Sequence, residues 1–464
     1  MTIEDAYGGK TAPAGISSGP PREVAVRPRP LSTEQKAWYE KACKGISEDR
    51  VRDLIIALTN IHSPTGAERE ASEYLVAHMN QAGLEAHYQP MGELSGNAIG
   101  RIRGRGDGPA LLFYDPIDTH LEADPKEDIP WVGPQLRADM LPKAVVQDGL
   151  VIGLGASNPK AMVATMVEAA RCVQAAGIPL KGDLYAGFAG GGMPWNNVKR
   201  NNRGLSDGVT HLLTHGVSPD FAVIMKPWNV VFYEEPGLCF FKVTVKGTLG
   251  YAGIPHGTPG YENATVAAAP VILDLHAWIP KYAERNTSGQ IQPWGCVSAV
   301  RGGWPDKPSI MSSVVEIYLD LRYTPRMTPA EVGAQFGQAI DDIRKKHPTL
   351  KVDWEMTASS PCGSTDPDNW IIQSAMRGWE YVEGTRHGPA PYMAGQTDGG
   401  AIRKLGIPTA RIGWPWPYKD TPAEYTEGIG GMGVAYIPDL IPAVRKLIYM
   451  AVDTCTRTRA EVGL

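Results

Sequence analysis

Charged and polar side chains follow two strongly apolar segments of the sequence and are the first candidates for chemistry. Asp118 and His120 come directly after the run PALLFYDPI, and Lys226 ends the later run DFAVIM. Such runs are typical of buried parallel strands, whose carboxyl ends commonly form a binding crevice. An ammonium group there can bind a carboxylate or stabilise an oxyanion, or act as a base when burial removes its charge. A nearby carboxylate favours the charged form, so we expect Lys226 to pair with Asp118 and to act electrostatically.

The elements that would hold these groups follow from the hydrophobic periodicity. Helical spacing is present in EQKAWYEKACK, SEDRVRDLIIALTNI, ASEYLVAHMNQAG and residues 159–176, where Asn158 and Pro159 form a favourable N-cap and first turn. Short apolar or alternating segments such as NAIGRIRG, PALLFYDPI, DLYAGFAG and DFAVIM have the profile of strands. Because strands and helices alternate, we expect an α/β fold with a mostly parallel central sheet flanked by helices.

The chain is predicted to contain three regions. Residues 1–31 form an arm rich in Pro and Gly, which either has no fixed structure or wraps around a neighbouring subunit. Residues 32–236 and 358–464 form the α/β domain. Residues 237–357 have the order β-α-β-β-α-β and are predicted to form a small two-layer α/β sandwich inserted into that domain.

Composition and charge argue against several classes of function. The net charge of −5 and the absence of a basic run argue against a nucleic-acid partner. No segment reaches the roughly 18 apolar residues of a membrane span. The first residues lack the features of a signal peptide, so we expect a cytoplasmic protein. The six cysteines show no metal-binding spacing and are expected to be reduced, and Cys362 is a minor candidate nucleophile without an evident activating base.

Five segments of the sequence carry a resemblance to a known family. They are HSPTGAERE, DGLVIGLGASNPKAMVATMVEAA, GLCFFKVTVKGTLGYAGIP, DLRYTPRMTPAEV and GQTDGGAIRKLGIPT. In this order they resemble motifs of the zinc-dependent exopeptidase and deacylase family of aminoacylase, acetylornithine deacetylase and succinyl-diaminopimelate desuccinylase. The resemblance implies that family's fold, an inserted dimerisation domain and a homodimer acting on a small-molecule substrate. In the family, two zinc ions held by His, Asp and Glu activate a water molecule, with a Glu as general base.

The positions that hold the metal in the family carry other residues here. The resemblance aligns the family's metal ligands, general base and interface histidine with Pro116, Asn158, Gly190, Gly191, Gly192, Lys226, Tyr251 and the segment YTEGIGGMG, which has no histidine. Metal charge and ligand carboxylates are lost together, which avoids an uncompensated buried negative cluster. We therefore predict that the protein uses no metal and no other cofactor.

The resemblance also implies roles for residues outside these positions. Tyr251 stands where the family's interface histidine holds the scissile carbonyl, and His256 could replace that histidine. Arg322 matches a family arginine and is expected to contact substrate or to hold the small domain together. Lys160 matches a family lysine and indicates no new chemistry. Four more residues match the segment that binds a substrate carboxylate through backbone donors: Gly395, Gln396, Thr397 and Asp398.

Four tryptophans lie in or beside loops that carry ligands in the family: Trp195, Trp228, Trp414 and Trp416. They either fill vacated volume or turn a metal cleft into an aromatic pocket for a flat substrate. On the second interpretation, Trp228 and Asn158 are substrate contacts.

Three hypotheses for the function remain. The favoured one is a metal-independent enzyme that hydrolyses or lyses a C–N, or alternatively C–C, bond. Its substrate would be a small carboxylate-bearing molecule, either aromatic or not. The reaction would use Lys226, Asp118 and one of His120, Tyr251 or His256. The second is a non-catalytic binding or assembly subunit derived from a metallo-deacylase. The third is a degenerate hydrolase with weak activity. The scaffold alone does not decide among them, because function belongs to the site.

Overall fold

The computed structural model describes residues 24–254, 258–415, 421–422, 425 and 432–464. The helices in these ranges are α1 (Thr33–Cys43), α2 (Glu48–Thr59), α3 (Arg69–Gln81), α4 (Pro125–Val132), α5 (Met162–Ala175), α6 (Asp207–Thr214), α7 (Ala264–Asn286), α8 (Pro329–Lys346), α9 (Trp370–Glu383), α10 (Gly399–Lys404) and α11 (Ile437–Cys455). The strands are β1 (Glu85–Pro90), β2 (Gly96–Ile102), β3 (Leu111–Pro116), β4 (Val145–Gln147), β5 (Leu150–Ile152), β6 (Leu184–Ala189), β7 (Pro194–Lys199), β8 (Asn202–Gly204), β9 (Phe221–Met225), β10 (Glu234–Glu235), β11 (Gly237–Lys246), β12 (Gly250–Tyr251), β13 (Gly295–Gly302), β14 (Ile310–Met311), β15 (Val314–Tyr323), β16 (Lys351–Ser360), β17 (Gly363–Ser364), β18 (Thr409–Ile412) and β19 (Val434–Tyr436).

Six strands form the central sheet, in the order β1-β2-β6-β3-β9-β18. Strands β6, β3, β9 and β18 are parallel to one another, whereas β2 pairs antiparallel with β6 and β1 pairs antiparallel with β2. All residues of β3, β6 and β9 are buried, as expected for strands covered on both faces. The predicted α/β fold with a mostly parallel sheet is therefore confirmed. The carboxyl ends of β6, β3, β9 and β18 meet at one edge, which we call the carboxyl edge.

Helices cover both faces of this sheet. On one face α2, α5, α9 and α11 build the main core with residues such as Leu54, Met166 and Leu447. On the other face α6 and α10 contribute Leu212 and Ile402 to a smaller cluster. The apolar positions repeat at helical spacing, so each helix buries one stripe against the strands. None of the helices in the described ranges combines the length and apolar character needed to cross a bilayer.

The inserted domain has the predicted two-layer α/β architecture. Its antiparallel sheet has the order β13-β15-β11-β16, and helices α7 and α8 pack on one face. Phe241 of β11 stacks on Phe336 of α8 with ring centroids 4.1 Å apart. Helix α8 begins with a capping box between Thr328 and Glu331. The chain enters and leaves this domain through β10 and β17, which pair with each other and form a short two-stranded hinge.

The described part of the N-terminal arm packs on its own chain. The backbone N–H of Arg27 donates to Oε1 of Gln373 on α9 over 2.7 Å. The guanidinium of Arg29 lies 5.2 Å from the centre of an aromatic ring on the same helix. Residues 24–31 thus pack on α9 of their own chain, which offers them an amide and an aromatic face. Residues 1–23 lie outside the described part of the chain.

Candidate functional site

An ion pair between Lys226 and Asp115 lies at the carboxyl edge. Lys226 follows β9, and its Nζ lies 2.8 Å from Oδ1 of Asp115 on β3. The other oxygen of Asp115 accepts a hydrogen bond of 3.0 Å from the backbone N–H of Met225. The ammonium has longer contacts of 3.4 Å to Asn158 Oδ1 and 3.3 Å to Met162 Sδ. Burial raises the pKa of Asp115 to about 6, and Lys226 lowers it only in part.

The predicted pairing of Lys226 with Asp118 is wrong. Asp118 accepts hydrogen bonds from the Thr65 hydroxyl (2.6 Å) and from the backbone N–H groups of Gly192 (2.9 Å) and Met193 (2.8 Å). The reason is the strand order: β6 leads to Gly192 and β9 leads to Lys226, and these strands lie on opposite sides of β3. Burial raises the pKa of Asp118, and its three donors oppose that shift.

Asn158 belongs to the site, but it does not cap a helix as predicted. Its φ and ψ of −117° and 108° interrupt the irregular turn Ala156–Ala161, and α5 starts only at Met162. Its backbone N–H donates to the carbonyl of Met432 over 3.0 Å. The side chain is turned toward Lys226 instead of toward the first turn of α5. The local N-cap preference is thus overridden by a tertiary contact.

The three glycines after β6 allow two carboxyl groups to approach the loop. A Cβ atom on Gly190 would lie 2.8 Å from Oε2 of Glu68, and one on Gly192 would lie 2.9 Å from Oδ2 of Asp398. Gly191 has a φ of 69°, in the left-handed region that favours glycine. Acids from the segments before α3 and α10 therefore fill part of the space at this loop, and Pro116 and Asn202 fill the rest.

Both of these acids are buried and have raised pKa values. Burial, reinforced by Asp118, raises the pKa of Glu68 to about 7, although two backbone N–H groups donate to its Oε1. Burial also raises the pKa of Asp398 to about 7. The hydroxyls of Ser206 (2.6 Å) and Tyr114 (2.5 Å) donate to Asp398 and limit that rise. The carboxyl edge thus contains two acids that change charge near neutral pH.

The predicted substrate segment divides into an accessible and a buried half. Gly395 is exposed and Gln396 is half-buried, whereas Thr397 and Asp398 are buried. Asp398 is only 2% exposed. The Gln396 side chain donates to the carbonyl of Thr397 over 2.9 Å, which fixes the turn. Gly395 and Gln396 are therefore the members of this segment that a ligand can reach.

Lys160 contacts the residue before Asp118, and the sequence patterns indicated no chemical role for it. Its Nζ donates to the Ser63 hydroxyl and, over 2.9 Å, to the carbonyl of Ile117. Burial lowers the pKa of Lys160 to about 8, whereas the charges of Asp118 and Glu68 oppose that shift. Lys160 is therefore a buried cation whose charge interacts with both acids.

Sequence reasoning also missed Asp115 and Glu68. Asp115 carries a usable signal, because an acid inside an otherwise apolar strand requires a partner. Glu68 follows the HSPTG turn, where it was interpreted only as part of a motif. Its proximity to Gly190 depends on long-range packing that no local pattern reveals.

The remaining predicted catalytic residues do not converge on Lys226. Tyr251 lies on β12 of the inserted domain and is 57% exposed. Arg322 lies on β15 and pairs with Asp320 over 2.6 Å, so it supports the small domain. Burial lowers the pKa of His120 to about 4, and its Nδ1 has no hydrogen-bond partner among the described residues. His256 lies outside the described residues.

The tryptophans do not form the predicted aromatic wall together. Trp414 is fully buried in the main core, so it fills volume and offers no surface to a ligand. Trp228 is half-buried, has a φ of 85°, and packs 6.0 Å from the ring of Phe232. Trp195 lies half-buried on β7 beneath a lysine ammonium. Trp416 lies outside the described residues.

The fold is that of the zinc-exopeptidase and deacylase family. No family model matches the sequence. A succinyl-diaminopimelate desuccinylase of Granulibacter bethesdensis is 24% identical over 327 residues, which cover 68% of this chain and 76% of the relative. A second one, of Gluconacetobacter diazotrophicus, is 26% identical over 238 residues, covering 49% of this chain and 55% of the relative.

Solved structures extend this likeness to almost the whole chain. Human carnosine dipeptidase 1 has a TM-score of 0.67 at 13% identity and covers 91% of this chain and 99% of its own. A Bacillus subtilis dinuclear metal-binding peptidase of the M20 family has a TM-score of 0.55 at 14% identity and covers 90% of this chain and 98% of its own. The chain thus shares the fold of M20-family peptidases, and both kinds of relative support the family resemblance of the sequence.

The residues at the carboxyl edge do not fit the dinuclear zinc centre that this family implies. Zinc sites use three or four His, Cys, Asp or Glu donors. Among the residues that the structure describes, no group of three or more such side chains could hold a metal ion. At the end of β9 the ammonium of Lys226 already occupies the free side of Asp115, and its charge would repel a divalent cation.

Proposed function

We propose that the protein hydrolyses a C–N bond in a small carboxylate-bearing molecule without a bound metal, using Lys226 as its cation. The observation that carries the proposal is the Lys226–Asp115 pair at the carboxyl edge. The relationship to peptidases and deacylases supports hydrolysis as the reaction type. The N-succinyl compounds implied by the name of the sequence relatives are the first substrates to test.

The contacts of Lys226 suit a role in charge stabilisation. One N–H donates to Asp115 over 2.8 Å, which balances the charge of the ammonium. The contact to Asn158 is weak because it is 3.4 Å long, and the contact of 3.3 Å to Met162 is weak because a thioether sulfur is a poor acceptor. A carbonyl or carboxylate oxygen of a substrate could replace them at little cost. A hydrogen bond from a charged donor to a developing oxyanion in a site of low polarity accelerates acyl transfer.

Hydrolysis also needs a group that accepts a proton from water, and two kinds of group are available. Asp398 and Glu68 have pKa values of about 7, near the optimum for transfer at neutral pH. His120 has an unpartnered Nδ1 among the described residues, but its pKa of about 4 makes it a weak base. A rate that rises up to pH 7 favours the acids, and a rate already constant above pH 5 favours His120.

A second candidate function is a non-catalytic binding or assembly subunit. It is favoured by the observation that every carboxylate oxygen of Asp115 and Asp118 accepts a hydrogen bond from the protein. On this alternative Lys226 is a structural ion-pair partner. Association into a homodimer belongs to both proposals and is measured by light scattering of the purified protein.

The deciding experiment combines metal analysis with a substrate panel. Protein dialysed against a chelator is assayed for amine release from N-succinyl, N-acetyl and N-aroyl amino acids and from dipeptides. We expect turnover without stoichiometric zinc, and loss of turnover in Lys226→Met. Arg377→Met is the matched control, because it removes a cation of similar burial from an ion pair between α9 and α11.

Each outcome has a defined meaning. Turnover that requires added zinc contradicts metal independence, and an unchanged rate in Lys226→Met removes this lysine from the mechanism. An unsaturated product in place of a free carboxylate and amine indicates lysis rather than hydrolysis. Ligand-induced thermal stabilisation without any turnover favours the binding subunit.

A further inference from the structure

The buried side chain of Arg411 connects three separate segments of the chain. Its Nη1 lies 2.9 Å from Oε1 of Glu235, 3.0 Å from Sδ of Met393 and 3.1 Å from the carbonyl oxygen of Gly395. Arg411 lies on β18, and its side chain is only 5% exposed. Its guanidinium also lies 5.2 Å from the ring centre of Phe232. One buried cation thus contacts the hinge, the accessible substrate segment and an aromatic ring.

Glu235 is part of the hinge between the two domains. It lies on β10, which pairs with β17 where the chain enters and leaves the inserted domain. Its second oxygen accepts a hydrogen bond of 3.2 Å from Nη1 of Arg403 on α10. The neighbouring Glu234 instead pairs with Arg326 of the inserted domain. Adjacent residues of one short strand are therefore anchored to different domains.

The charges around Glu235 do not balance locally. One carboxylate faces two guanidinium groups, those of Arg403 and Arg411, and all three side chains are buried. Arg403 directs its remaining N–H groups to the Thr365 hydroxyl and the Thr409 carbonyl, within the large domain. The excess positive charge of Arg411 is met by neutral acceptors, chiefly the carbonyl of Gly395.

The segment held by Arg411 also contacts the inserted domain directly. The backbone N–H of Met393 donates to the carbonyl of Gln290 over 3.1 Å, and the N–H of Gln292 donates back to Met393 over 3.0 Å. The side-chain oxygen of Gln290 accepts hydrogen bonds from the backbone N–H groups of Tyr233, just before the hinge, and of Glu234, in the hinge. A displacement of the inserted domain would therefore also displace residues 393–396, unless the Gly395 carbonyl is held in place by Arg411 of the large domain.

We propose that Arg411 is a positioning residue that couples the hinge to residues 393–396. Its guanidinium binds both the Gly395 carbonyl and the Glu235 carboxylate of the hinge. Gly395 and Gln396, the accessible residues of the predicted substrate segment, therefore keep one position relative to both domains. The role in substrate binding rests on the proposed function. The coupling itself rests on geometry and can be tested without a substrate.

The test compares three variants by hydrogen–deuterium exchange of the full-length protein. Arg411→Met removes the contacts to Glu235 and Gly395. Arg411→Lys keeps a charge for Glu235, but its side chain is shorter, so its ammonium should not reach the position of Nη1 between both acceptors. Arg403→Met is the matched control, because it also removes a guanidinium from Glu235 but does not touch Gly395. The readout is the exchange of the peptide 388–397, which contains the hydrogen-bonded amide of Met393.

We expect faster exchange of this peptide in Arg411→Met and Arg411→Lys and unchanged exchange in Arg403→Met. Arg411→Lys should recover most of the thermal stability lost in Arg411→Met. Fast exchange in this stable variant would show that Arg411 positions the segment and does not only support the fold. The Lys variant also keeps the test valid if the Met variant does not fold. Equal acceleration in Arg403→Met, or full recovery of protection in Arg411→Lys, overturns the proposal. If the panel of N-acyl amino acids yields a substrate, Arg411→Lys should raise KM more than it lowers kcat. Absence of turnover in the wild type would affect the proposed function and leave the exchange comparison decisive.

Discussion

Two buried ion pairs in this protein have nearly the same length and burial but different surroundings. Lys226 and Asp115 are 2.8 Å apart, with side chains 8% and 0% exposed. Arg377 and Asp453 are 2.7 Å apart, with side chains 7% and 0% exposed. The first pair joins the ends of two parallel strands, and the second joins helices α9 and α11 in the core.

The two carboxylates differ in the number of donors that serve them. Asp453 also accepts hydrogen bonds from Arg457 over 2.9 Å and from the Ser374 hydroxyl over 2.8 Å. Within the described part of the chain, Asp115 has one lysine and one backbone N–H. The helix pair is therefore redundant, whereas the strand-end pair depends on a single cation. The two pairs have similar geometry, but we expect them to differ strongly in how much stability is lost when the cation is removed.

Removal of the single cation should have the largest effect. We expect Lys226→Met to lower the free energy of unfolding by about 3–5 kcal/mol at about pH 8, because buried Asp115 then has no ion-pair partner and keeps only the Coulombic attraction of Arg411. The loss should shrink at about pH 5, since the pKa of Asp115 is already raised to about 6 with the lysine present and rises further without it. Urea unfolding followed by circular dichroism measures both values.

The matched helix variant and a double variant test this difference. Arg377→Met should cost less, because Arg457 and Ser374 still donate to Asp453. Combining Lys226→Met with Asp115→Asn should recover much of the stability, because the buried charge is then absent. A loss in Arg377→Met equal to that in Lys226→Met would show that redundancy does not distinguish the pairs.

The excess of acids at the carboxyl edge predicts a pH effect of intermediate size. The pKa values of Glu68 and Asp398 are raised to about 7, so between about pH 4.5 and 7 the native state holds protons that the unfolded state has released. Stability should therefore fall as pH rises through this window, by about 1.4 kcal/mol per pH unit for each group. Glu68→Gln should flatten the slope measured by urea unfolding.

Glu73→Gln, on the exposed side of α3, is the control for this experiment. It should leave the slope of stability against pH as it is in the wild type. A steep slope that persists in Glu68→Gln would mean that Asp398 or another group carries the whole effect.

The smallest expected effect concerns the backbone beside each ion pair. Trp228 has a φ of 85°, in the region that disfavours residues with a Cβ atom, and Trp379 lies within helix α9. We expect Trp228→Gly to be more stable than Trp228→Ala by about 1 kcal/mol. At Trp379 the order should reverse by a similar amount, because Gly disfavours a helix by about 1 kcal/mol relative to Ala. Thermal unfolding of the four variants checks both signs.

The fold was predictable from the sequence because hydrophobic periodicity and element order are local signals. The same is true of the position of Lys226 at the end of a buried strand. The ion-pair partner of Lys226 could not be predicted from positions in the sequence. The choice between Asp115 and Asp118 depends on which neighbour of β3 carries the lysine, and strand order is a non-local property.

Local preference also failed at Asn158 and at the glycines after β6. Asn158 and Pro159 suit a helix start, but a side-chain contact with Lys226 takes the place of the cap. The loop glycines were interpreted as lost functional groups. Their physical effect, the close approach of Glu68 and Asp398, depends on residues more than a hundred positions away in the chain.

The three glycines have a consequence for any attempt to redesign this site. Adding a side chain at Gly190 would drive it into the Glu68 carboxyl group, and adding one at Gly192 would drive it into Pro116 and Asp398. The order of substitutions therefore matters: the side chains that crowd the loop, Pro116 as well as Glu68 and Asp398, must be made smaller before an acid can be introduced into it. Each intermediate sequence must also fold, so a metal centre cannot be installed here one ligand at a time starting from the glycines.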